Sequence, residues 1–136
     1  MKNNADSRQK IWLVRARETL RDANVLYQQG GSSDGIIDRG FYSMLYAVFA
    51  LLMPINKKGL PEESRVVSLF NDKFVKHNVF PKEMGRLLYD AHNLHRAAEF
   101  QDFFTANRDQ AVETLNSATE FVKAIETKLS QGLVSQ

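Results

Sequence analysis

From Asp38 to Leu52 the chain is an almost wholly apolar run, and its apolar positions surround a helix instead of lining one side of it. At about 100° per residue, Phe41, Met44, Leu45, Val48 and Leu52 fall on one broad face, while Gly40, Ser43, Ala47 and Ala50 make a second face of small residues. Such a helix has to be covered on both sides. A third stripe, Arg39, Tyr42 and Tyr46 at i, i+3 and i+7, sets a permanent cation beside two phenols. A charge there requires an acidic partner, such as Asp38, or an open cleft.

The flanking segments repeat at helical period. Trp12, Leu13, Ala16, Leu20, Ala23, Leu26 and Tyr27 predict a first helix from about Asp6 to Gln29, ended by Gly30-Gly31. The second runs from about Ser33 to Met53, with Ser32, Ser33 or Asp34 as its N-cap and Pro54 as its stop. Pro61 opens a third, whose face is Val66, Val67, Phe70 and Phe74 and which closes at His77-Asn78. Pro81 opens a fourth through Met84, Leu87, Leu88, Ala91, Leu94 and Ala98 to about Phe100, and Gln101 to Ala106 form a linker. Asn107 and Gln110 make a capping pair for a fifth helix to about Ser130, with Ala111, Leu115, Ala118, Val122, Ile125 and Leu129 as its stripe. No segment shows strand period. The expectation is an all-α, five-helix, mostly antiparallel up-and-down bundle: one domain over 1–136 with its core at about 6–130.

Composition narrows the class. With 136 residues the chain is one domain large enough to build a core, and it has no cysteine, which removes disulfides, thiolate zinc sites and a cysteine nucleophile. The N-terminus lacks the apolar stretch of a signal peptide, and the run Phe41 to Ile55 falls short of a ~20-residue span, so a cytoplasmic protein with no membrane role is expected. A net charge of +2, from 18 basic and 16 acidic residues, gives no strong global field. Basic residues nevertheless gather at Lys2 to Arg21, at Lys57-Lys58 and across Lys73 to Lys82.

Three histidines bear on acid–base chemistry: His77, His92 and His95. His92 and His95 share a helix face, yet the HExxH pattern is absent and no further ligand is placed, so no metal site is expected. His95 lies within the apolar stripe of the fourth helix, as a hydrogen-bonded core histidine does. Beside that stripe stand Tyr89, His92 and Arg96, with Glu99 at the edge. His92 could shuttle a proton while Arg96 holds a phosphate oxygen; as a plain solvated face, the same residues would serve only surface pairing.

Three segments, Arg39 through Leu52, Ser68 through Leu88 with its phenylalanine, lysine, proline, glycine and arginine positions, and Leu94 through Phe103, together resemble HEPN domains, the higher eukaryotic and prokaryotic nucleotide-binding helical bundles, in their small stand-alone prokaryotic branch. The likeness covers about Arg8 to Lys128. It implies a bundle that forms homodimers, pairing with a minimal nucleotidyltransferase antitoxin, and a toxin–antitoxin role. Active relatives are metal-independent ribonucleases that need no cofactor, with an arginine and, four to six residues on, a histidine at a dimer-interface cleft. Arg86 and His92 meet that count here. Six helical steps set them about 120° apart and roughly 9 Å along the axis, so a shared cleft needs a partner subunit or a helix irregularity. Where the branch reads leucine-arginine, this chain has Leu94-His95-Arg96. The resemblance therefore implies an RNA- or nucleotide-binding protein with His92 and Arg86 as catalytic residues and Arg39, Tyr42, His95 and Arg96 as binding residues. The alternative is a non-catalytic interaction module or a nucleotide sensor partnering a nucleotidyltransferase.

Overall fold

The structure, a computed structural model, describes residues 4–55, 59–101 and 104–131, and the Lys57-Lys58 pair lies outside them. Among the described residues are five α-helices and no strand: α1 (Asn4–Gln28), α2 (Ser33–Leu52), α3 (Glu63–Phe70), α4 (Lys82–Phe100) and α5 (Arg108–Ser130). This is the all-α bundle that the periodicity predicts.

α2 is the axis, in contact with each of the other four helices. By length and composition it could cross a membrane, but 72% of that span is buried inside the bundle. Its broad apolar face meets Phe70, Leu88, Phe121 and Ile125 in the main core. The small-residue face lets α5 approach closely: a Cβ on Gly40 would stand 3.0 Å from the Thr114 side chain and 3.8 Å from Ala118. Burying Ser43 there is affordable because its hydroxyl donates to the Gly40 carbonyl at 2.6 Å. At the other end of α2, Ile36 and Ile37 join Ala23, Ala111 and Leu115 in a second apolar cluster.

The caps follow local chemistry. Ser32 is the N-cap of α2, its hydroxyl accepting from the Gly35 amide at 3.0 Å. Asn107 and Gln110 form a reciprocal capping box on α5. Gly30, at φ 73, takes the left-handed conformation that ends α1. Arg108 then donates to the exposed carbonyls of Tyr27 and Gly31 at 2.9 and 3.0 Å, a long-range C-cap that local spacing does not reveal.

The third helix departs from the predicted form. The α-helical part stops at Phe70 and continues as one π-helical turn over Asn71–Val75, with the Lys76 amide donating to the Asn71 carbonyl at 2.9 Å. Asn78, at φ 61, then reverses the chain. The wider turn keeps Phe70 and Phe74 both in the core, where Phe70 lies 5.2 Å from Phe121 and 5.6 Å from Phe80, ring centroid to centroid.

Candidate functional site

Where α2, α3 and α4 meet, four of the six residues singled out in the sequence come together: Tyr42, His92, His95 and Arg96. The organising group is His95, 1% exposed. Its ring stacks on Phe41, at 4.7 Å between centroids and 14° between planes, and meets the Tyr42 ring edge-on at 5.1 Å. Nδ1 lies 2.9 Å from the Oδ1 of Asp38. Nε2 lies 3.1 Å from Glu99 and 3.2 Å from Glu63, within ion-pair range but out of line for a hydrogen bond. Three helices thus direct carboxylates at one imidazole. With ionised carboxylates, which can only accept, the ring serves as donor.

Asp38 therefore pairs across to His95 and not with its neighbour Arg39, which is exposed. The cation of the third stripe has taken the open route, reaching solvent beside Tyr42. Below it, Tyr46 packs against Trp12 of α1 at 5.5 Å, a core contact.

Tyr42 is half-buried, and its phenol is pushed up to about 12 by burial first, then by the charge of Glu63 and a hydrogen bond to that carboxylate, with Glu99 and Asp38 adding to it. His92 is the counterpart. It lies nine-tenths buried at 5.4 Å from Phe41, its Nε2 without a hydrogen-bond partner. Burial lowers its pKa below the usual histidine value; Glu63 opposes this, and Arg96 and His95 push the same way as burial. The ring is held neutral at pH 7 next to an exposed guanidinium, which itself lies 5.4 Å over the Phe100 ring. A neutral imidazole is the form that accepts a proton, and a guanidinium is the group that binds a phosphate oxygen.

Arg86 stands apart from this cluster. It is exposed and lines an open groove of about 500 Å³ with Asn71, Lys82, Glu83, Gly85 and Tyr89. Within the chain, Arg86 faces the π-helical turn while His92 faces α2. Among the described residues, no group of three or more histidine, aspartate or glutamate side chains is arranged to hold a metal ion.

Asp38 and Glu63 are the members whose roles spacing did not announce. Glu63 is the first residue of α3, and only the packing of α3 against α2 and α4 turns it toward Tyr42 and His95.

An all-α bundle built on a central apolar helix, with a histidine-arginine cluster at the junction of three helices, defines the class of protein. The chain matches the HEPN domain family over residues 9–128, and it belongs to that family. It is similar to a Thermotoga maritima protein named "UPF0332 protein", 29% identical over 119 residues, covering 86% of this chain and 87% of that one. It is also similar to a Methanocaldococcus jannaschii protein named "Putative toxin MJ0142", 27% identical over 112 residues, covering 81% and 74%.

Proposed function

We propose that this HEPN protein is the toxin member of a toxin–antitoxin pair, a cytoplasmic homodimer that binds RNA at a cleft between protomers and cleaves it without a metal. The observation that carries the reading is His92, buried against the Phe41 ring with its Nε2 without a hydrogen-bond partner, one helical turn from the exposed Arg96. In the proposed reaction His92 accepts the proton of a ribose 2′-hydroxyl as the oxygen attacks the adjacent phosphorus. The bond from phosphorus to the 5′-oxygen breaks with its electron pair on that oxygen, which takes a proton from water, leaving a 2′,3′-cyclic phosphate and a 5′-hydroxyl end. Arg96, Arg39 and a partner-supplied Arg86 balance the charge that grows on the phosphate, and Tyr42 and His95 fix the shape of the cleft. The name of the M. jannaschii relative supports the toxin role, and a minimal nucleotidyltransferase is the antitoxin this reading calls for.

The test is incubation of the purified chain with mixed RNAs in EDTA. Cleavage by wild type, lost in His92→Gln with the circular dichroism spectrum unchanged, supports the reading; intact RNA with the wild type sinks it. A second reading, nucleotide or partner binding without cleavage, draws on His95, whose confinement among three carboxylates is a structural arrangement. Saturable heat with a nucleotide panel, and no cleavage, would select it.

A further inference from the structure

One face of α4 remains uncovered. Lys82, Arg86, Tyr89, Asn93, Arg96 and Phe100 recur at alternating steps of four and three, so they stand in one row along about 27 Å of helix. All six are exposed, and the two aromatics unusually so, Tyr89 at 53% and Phe100 at 65%. Among the described residues neither Lys82 nor Arg86 has an ion-pair partner, and Arg96 leans on the Phe100 ring. A row at this spacing would suit a partner helix if it were aliphatic. It is instead three cations, an amide and two flat rings.

We infer that this row is a track for single-stranded RNA, with phosphates on Lys82, Arg86 and Arg96 and bases stacked on Tyr89 and Phe100. Cations alternating with exposed aromatics are what an unpaired strand requires: charge for the backbone and π-faces for bases of any identity. The groove beside the π-helical turn gives one nucleotide a seat, between Tyr89 and the Asn71 edge. Glu83, on the groove wall, repels phosphate and accepts from a ribose hydroxyl, so the strand seats with its sugar toward that carboxylate. The inference rests on the RNA-binding reading above. It adds a path for the strand along α4, with contacts at Lys82 and Tyr89 that lie outside the His92–His95 cluster.

The test is fluorescence anisotropy of a labelled, unstructured RNA with the full-length chain at low salt. Lys82→Ala and Tyr89→Ala are the variants, with melting curves confirming the fold. Tyr89→Ala should weaken binding roughly ten-fold. Lys82→Ala should flatten the salt dependence of log K by about 0.7 per unit of log salt. Wild-type affinity and salt slope in both variants, together with loss of binding in Arg39→Ala, would overturn the track and leave the cleft standing. No RNA binding by the wild type would overturn both. Conversion of a wild-type dimer to a monomer by either variant would make the row an interface between copies, and that too would overturn it.

Discussion

His95 on α4 and Asp38 on α2 are 57 positions apart in sequence and 2.9 Å apart in space, Nδ1 to Oδ1, and the contact pins the two helices together at the candidate site. The imidazole is fully enclosed while the carboxylate remains 44% exposed, so the pair has one end in the core and one in water. The enclosed end is what makes it matter, because an imidazole in that position has no water to replace a lost partner.

Removing Asp38 should therefore cost more than an ordinary surface substitution. We expect Asp38→Asn and His95→Gln each to destabilise the fold by about 1–2 kcal/mol, below the range for a fully buried charged bond because water screens Asp38. Urea unfolding of the two single variants and the double should give a coupling of about 1 kcal/mol. A sum of independent effects would show that the contact contributes nothing of its own.

Phe41 supports both histidines through its ring, and it is completely buried. Phe41→Ala should cost about 3–5 kcal/mol. Phe41→Leu should retain much of that stability yet change the His92 and His95 ring resonances in NMR spectra, since a leucine offers no flat face for His95 to lie on. Unchanged resonances would contradict the stacking.

Stability should fall at both ends of the pH scale for separate reasons. His92 has a native pKa below the usual value near 6.5, so as pH drops past 6.5 the unfolded chain takes up a proton that the native protein resists. Stability contributed by the neutral ring is thus complete above pH 6.5 and lost as pH falls toward the native pKa. Tyr42 works in the other direction. Its native pKa of about 12 exceeds the ordinary 10.0, so its contribution is complete below pH 10 and lost between pH 10 and 12. Urea midpoints measured across pH should show both slopes, with His92→Gln flattening the acidic one and Tyr42→Phe the alkaline one.

Gly85 lets α4 pass the π-helical turn. A Cβ there would collide with the side-chain oxygen of Asn71, whose amide nitrogen donates to the Val67 carbonyl at 3.1 Å. Gly85→Ala should destabilise by about 1–3 kcal/mol despite the better helix propensity of alanine. Most of that loss should vanish in an Asn71→Ala background. An equal loss in both backgrounds would place the strain elsewhere.

The helices and their ends are written locally. The double-faced apolar run makes α2, the serine and the asparagine–glutamine pair cap α2 and α5, and Gly30 closes α1, because each of these depends on residues within a turn or two of one another. His95 as an enclosed, hydrogen-bonded histidine was legible for the same reason: it interrupts an apolar stripe, and burial follows from the stripe. Which acid would hold it was not legible. Asp38 stands next to Arg39 in the chain, yet helical geometry turns neighbouring side chains about 100° apart, and only the docking of α4 on α2 brings Asp38 to His95. The same holds for Glu63, brought to Tyr42 and His95 by α3, and for Arg86, carried by the phase of α4 into the groove at Asn71. The π-helical turn is likewise a tertiary result, set by the need to bury Phe70 and Phe74 together against Phe80 and Phe121. Periodicity decides which face of a helix is apolar; which polar groups meet across helices is decided by how those faces pack, and that information lies between segments and not within any one of them.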